Sequence, residues 1–169
     1  MSMECPVRPE WLALVREPIF DPELPIVDAH HHLWKLPHET YLLPEFLADI
    51  GAPGEGHHVV ATVFAECGAM YRPQGPAELR SLGEVEFANG IAAQAASGVF
   101  GDVGVCAAIT GSVDLALGRR AGEVMDIHAA RAPERYRGVR PIVAADPHGV
   151  LDPWPNPPFD LMEQAAFRE

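Results

Sequence analysis

The chain has 169 residues, 48% of them hydrophobic and 21% charged, the composition of one globular domain and not of a disordered or fibrous chain. Its 12 basic and 24 acidic residues give a net charge of −12, which repels phosphate backbones and anionic lipid surfaces, so neither nucleic acid nor membrane is an expected partner. Cys5, Cys67 and Cys106 are odd in number, far apart and without a CxxC pair; with no secretory leader pattern and no apolar run of ~18 residues, a reducing cytoplasmic setting is expected.

Residues 1–24 read as an N-terminal extension whose one apolar run is Trp11–Val15. Pro25–His30 is a short β-branched run and reads as a strand. Pro44–Ile50 begins with proline at a helix N-terminus and ends before Gly51, the pattern of a short helix. His58–Cys67 is a second strand. Gly75-Pro76 opens a longer helix. There Leu79, Leu82, Val85, Ala88, Ile91, Ala92, Ala95 and Ala96 recur at three- and four-residue spacing, and Gly98 stops it.

Val103–Thr110 is a third strand. Asp114 can cap a helix that runs to about Arg131, with Leu117, Ala121, Val124 and His128 on one stripe. Tyr136–Val143 is a fourth strand weakened by Pro141, a proline-rich loop spans Pro147–Pro158, and Asp160 begins another helix. Strands alternating with helices predict an α/β fold with a parallel sheet. No G-x-G-x-x-G follows the first strand, which speaks against a dinucleotide-binding sheet. The last segment, residues 160–169, carries no stop signal. A (β/α)8 TIM barrel takes about 250 residues. The expectation is therefore that residues 25–169 form about the first four β/α units of such a barrel, its N-terminal half.

Histidine follows the first strand. In Asp28-Ala29-His30-His31-His32, alternation across a strand puts Asp28, His30 and His32 on one face and His31 on the other. Two imidazoles at that spacing can aim ring nitrogens at one point, which suits a divalent ion such as zinc, and barrels carry their chemistry at this end of the strands. A surface polar cluster is the plainer alternative. Cys67 and Cys106 are most simply small core residues. His57, His58, His128 and His148 carry no functional assignment, and His128 lies on an apolar stripe.

The phrase LPIVDAHHHLW, followed in order by ATVFAECGAMYR, GEVEFANGIAA and YRGVR, resembles the amidohydrolase-related family, in particular its lactonase-like branch of pyrone-dicarboxylate and sugar-acid lactonases. The resemblance spans Leu24 to Glu169. It implies a distorted (β/α)8 barrel in which His30 and His32 match the first-strand metal pair, further ligands come from later strands, and an eighth-strand aspartate is the general base. Some members of that branch work without metal, their histidines contacting substrate. The implied activity is hydrolysis of a lactone or cyclic ester of a small carboxylated substrate, with decarboxylation in related barrels as the alternative chemistry.

Arginine can hold a substrate carboxylate through paired hydrogen bonds. Arg140, at the end of the fourth strand, is the first candidate and Arg72, after the second, is the next; for each the alternative is a surface salt bridge. Family sequences often carry histidine at the position of Pro141. Glu66, at the end of the second strand, reads either as a catalytic carboxylate beside the metal or as a structural partner of an arginine. Strands five to eight, and with them the general base, are absent from these residues, so the chain alone is expected to be catalytically silent. A half-barrel that acts only by association is the non-enzymatic reading, with a homodimer of two such halves closing one barrel.

Overall fold

The computed structural model describes residues 8–15, 17–51, 56–143 and 160–168. Pro9 opens one helical turn, α1 (Pro9–Leu12), which leaves Trp11 and Leu12 exposed. The β-branched run becomes β1 (Ile26–His31), and a two-stranded antiparallel hairpin follows, β2 (Trp34–Lys35) and β3 (Thr40–Tyr41). The sequence reading has no counterpart for this hairpin. Its strands are two residues each, too short for alternation to register, and a stack of Trp34 on Tyr41 at 5.0 Å holds it.

Helix α2 (Leu43–Ile50) starts where Pro44 allows it, and the Glu45 carboxylate accepts the Leu42 N–H at 2.9 Å, covering a donor that the first helical turn leaves open. Strand β4 (Val59–Ala65), helix α3 (Leu82–Ala95), strand β5 (Gly104–Gly111), helix α4 (Arg120–Arg131) and strand β6 (Tyr136–Val139) complete the alternation. The fold is α/β: one parallel sheet in the order β1-β4-β5-β6, each strand beside the one before it, with no reversal of direction along the sheet.

Phe64 and Ile109, opposite each other in the β4–β5 ladder, point into the main core with Val85, Ala88 and Ile91 of α3. Val63 and Ala108, on the other face, stay half-buried, and Val27 on β1 is 59% exposed. Gly111 lets helices and sheet come together: a Cβ there would sit 3.0 Å from Val85 Cγ2 and 3.2 Å from His128 Nδ1. Among the described residues no helix is long and apolar enough to cross a membrane.

Four expectations need correction. The helix expected from Gly75-Pro76 is preceded by a separate 3₁₀ turn, Ala77–Leu79, and α3 begins only at Leu82. Asp114 does cap through its side chain, accepting the Ala116 N–H at 2.9 Å, but it caps a 3₁₀ turn, Leu115–Leu117, and α4 begins only after Gly118 breaks the chain direction with a positive φ. The helix expected from Asp160 is instead two 3₁₀ turns, Leu161–Glu163 and Ala166–Arg168, separated by Gln164 in extended conformation. The fourth strand ends at Val139, because Pro141 has no N–H to extend a ladder. The proline-rich loop at 147–158 lies outside the described residues, as does Cys5.

His128 on α4 is fully buried, edge-on to Tyr136 at 5.7 Å, with Nδ1 unpartnered and Nε2 3.5 Å from Ser81 Oγ. Burial, aided by the charge of Arg72, lowers its pKa to about 4. The folded value lies below the unfolded one of ~6.5, so its contribution to stability is complete above pH ~6.5 and is lost as pH falls through about 4. Against a His128→Leu variant, the parent chain is expected to lose about 1.4 kcal/mol per pH unit between those values, measured by urea unfolding at several pH values. Parallel pH profiles for the two proteins would contradict this assignment.

Candidate active site

The carboxyl ends of β1, β4 and β6 lie at the same end of the parallel sheet, where Arg140 reaches from beyond β6 to Glu66 and His30. On β1 the histidine triplet is split by the ladder itself. Asp28 pairs with Thr62 and His31 with Phe64, so three steps along β1 oppose two along β4, a bulge that re-aims side chains. This corrects the simple alternation. Asp28 does not extend the His30–His32 set; its Oδ1 accepts the His30 backbone N–H at 3.0 Å, and its charge acts on His31 and Tyr41.

His31 turns into the core. It stacks on Phe46 at 4.5 Å, meets Phe64 edge-on at 5.8 Å, and its Nε2 lies 2.9 Å from Thr62 Oγ1, which in turn accepts the Cys106 N–H. Burial pushes its pKa down to about 4, so it is neutral at physiological pH. The middle histidine therefore anchors the motif, and its two neighbours project together from the other side.

There His30 Nε2 and His32 Nε2 stand 3.1 Å apart, with the rings edge to face. His32 Nδ1 is 2.9 Å from the Ala65 carbonyl, an acceptor only, so Nδ1 carries the proton and the His32 lone pair sits on Nε2. Burial lowers the pKa of His32, with the Ala65 carbonyl opposing and the charges of His30 and Arg140 adding to the fall. His30 Nε2 also lies 3.3 Å from Arg140 Nη1. A neutral His30 cannot satisfy both neighbours. If Nε2 accepts from the guanidinium, its lone pair faces the His32 lone pair; if it carries a proton for His32, that N–H faces the guanidinium. A cation on the two facing lone pairs would relieve the His30–His32 clash, and it would take from Arg140 the single lone pair that His30 Nε2 has to offer. The 3.1 Å spacing is close to the roughly 3.3 Å bite of two imidazoles on one tetrahedral zinc at ~2.0–2.1 Å. The pair thus fits a metal as two ligands of a set. Among the described residues no group of three or more His, Cys, Asp or Glu side chains is placed to hold one.

Arg140 leaves the end of β6 with its backbone N–H on the Gly111 carbonyl, 3.0 Å away. Nη2 donates to the Glu66 carbonyl at 2.7 Å and lies 3.0 Å from the Glu66 carboxylate. Its side chain stays 44% exposed, whereas that of Glu66 is 1% exposed. Burial pushes the Glu66 carboxyl up to about 7, against the opposing charge of Arg140. Glu66 is positioned to hold the arginine, and its Oε1, 3.0 Å from Nη2, makes no hydrogen bond among the described residues. Both of its readings, catalytic carboxylate and structural partner, are compatible with this placement.

Arg72 goes elsewhere. Its guanidinium makes a two-point ion pair with Glu86 of α3, at 3.1 Å and 2.6 Å, and does not join the histidines. A residue that the sequence reading missed is Glu84, fully buried on the first turn of α3, which receives the backbone N–H groups of Cys67 and Ala69 just beyond β4. A glutamate inside an apolar stripe was the available signal.

No protein-family model matches the chain, and no curated protein or solved structure shows a significant match to it.

Two replacements separate the arginines. Arg72→Ala breaks a half-exposed pair and is expected to cost no more than about 1 kcal/mol, leaving the imidazole NMR signals of His30 and His32 in place. Arg140→Ala is expected to shift both. Equal effects of the two variants on those signals would contradict the placement.

Proposed function

We propose that this chain supplies the histidine-bearing strands of an amidohydrolase-type (β/α)8 barrel whose reaction is hydrolysis of a lactone or similar cyclic ester bearing a carboxylate. The observation that carries the reading is the pair of imidazole nitrogens 3.1 Å apart with a guanidinium alongside, at the carboxyl ends of parallel strands. The strand order supports it too. Parallel strands laid down in chain order without reversal begin a barrel, whereas a doubly wound sheet reverses and binds at the reversal. The four sequence segments that resemble the lactonase-like branch point the same way.

In this reading His30 and His32 hold a divalent ion, zinc by the chemistry of the donors, through their Nε2 atoms. When bound, the ion polarises a carbonyl oxygen and lowers the pKa of water from 15.7 toward ~7. The protein's own groups do the rest. The Ala65 carbonyl fixes the His32 tautomer, an outer contact that ligating histidines commonly make. Arg140, anchored on one edge by Glu66, keeps part of its fork free for a substrate carboxylate. Its charge sets the sign of the site against the net −12 of the chain, so an anionic substrate meets a locally positive edge. In this reading the further ligands and the general base would come from the later strands of the barrel, five to eight.

Zinc titration followed by calorimetry tests the ligand pair. One equivalent is expected to bind, and His30→Ala and His32→Ala are each expected to weaken it at least tenfold. Assay on a panel of carboxylated lactones, with and without chelator, tests the chemistry. Lactone opening that chelator abolishes is expected in the protein that supplies the missing ligands; turnover indifferent to chelator and to His30→Ala would overturn the metal-assisted mechanism. Release of carbon dioxide in place of ring opening would assign the site to decarboxylation.

A further inference from the structure

We infer that Glu84, seated by Gly83, is a positioning residue for this end of the sheet: its buried carboxylate clamps the chain leaving β4 and so sets where His32 and Arg140 stand. The inference rests on the proposed site only for its functional meaning; the clamp itself is a matter of geometry.

Glu84 is fully buried, and its Oε1 accepts both the Cys67 N–H at 2.9 Å and the Ala69 N–H at 2.8 Å, while its Oε2 has no hydrogen-bond partner among the described residues. Burial raises the pKa of this carboxyl, and the successive backbone amides turned onto it, a nest at the N-terminal turn of α3, oppose that rise. The stretch so held is the one that carries the site. Two residues before Cys67, the Ala65 carbonyl accepts from His32; one residue before it, the Glu66 carbonyl and carboxylate hold Arg140. Both are fixed from the rear by a side chain that touches neither.

Gly83 makes the approach feasible. A Cβ at this position would collide with the Met70 carbonyl oxygen and lie 2.8 Å from the Arg72 nitrogen. The loop after β4 thus lies directly on the first turn of α3, where any larger residue would lift it away from Glu84. Position 83 also lies inside a helix, where helix propensity alone would favour alanine by ~1 kcal/mol. Propensity and clamp therefore call for opposite outcomes at one residue.

The test compares Glu84→Leu, Glu84→Gln and Gly83→Ala with the parent by ¹⁵N NMR of the His32 imidazole and the Arg140 side chain, and by affinity for zinc alone. Glu84→Leu and Gly83→Ala are expected to move both side-chain signals and to weaken zinc at least tenfold. Glu84→Gln keeps an Oε1 acceptor, and it is expected to restore most of the zinc affinity while the Cys67 and Ala69 amide protons shift upfield. A residue that matters only for stability would change the melting temperature and leave the side-chain signals alone. Folded Leu and Ala variants with unmoved His32 and Arg140 signals overturn the inference. If Glu84→Leu does not fold, the Gln variant decides it, and unmoved Cys67 and Ala69 amides count against the clamp. Failure of the parent to bind zinc would sink the metal reading and not this one, because the NMR comparison needs no metal.

Discussion

The site depends on the few peptide units that follow the last rung of β4. A strand that stops leaves carbonyl and amide groups without ladder partners, and each buried one must find a partner or cost free energy. Here the Ala65 and Glu66 carbonyls take an imidazole and a guanidinium, while the Cys67 and Ala69 amides take a carboxylate from the helix behind. Groups that must be satisfied for folding are the same groups that orient His32 and Arg140. Stability and site geometry are one problem at this end of the sheet.

The histidine triplet shows the same economy on β1. One imidazole is spent on the core, neutral, stacked on Phe46 and edge-on to Phe64, and its neighbours are thereby thrown to the other side. The pair that results is left with lone pairs that neutral hydrogen bonding cannot all satisfy. A guanidinium 3.3 Å from one of them would repel a bare dication, and the adjoining Glu66 carboxyl, which burial raises to about 7, offsets that charge only as it ionises.

Much of the framework was legible because it rests on periodicity. The spacing from Leu79 to Ala96 marked the apolar face of α3; Leu82, Val85, Ala88, Ile91, Ala92 and Ala95 are buried, whereas Leu79 lies in a 3₁₀ turn before the helix and Ala96 is exposed. The strands fell within two residues of their expected starts, and His30 and His32 came together as their spacing indicated. What escaped was non-local. Nothing near Asp28 announces a bulge, which is set by how β1 registers on β4. Arg72 and Arg140 both follow strands, but a long side chain turns toward whichever carboxylate the fold supplies, Glu86 for one and Glu66 for the other. Glu84 was hidden because a polar residue among apolar ones reads as solvent-facing until its amide partners are in place. Asp114 kept its capping chemistry and lost its helix to Gly118.

The central claim is that His30 and His32 act through their facing nitrogens on one ion. Anomalous scattering from crystals of the protein grown with zinc tests it most directly. One zinc peak is expected within bonding distance of both Nε2 atoms, with His32 Nδ1 still on the Ala65 carbonyl. Zinc bound elsewhere, with the two imidazoles joined by a direct hydrogen bond, would contradict it.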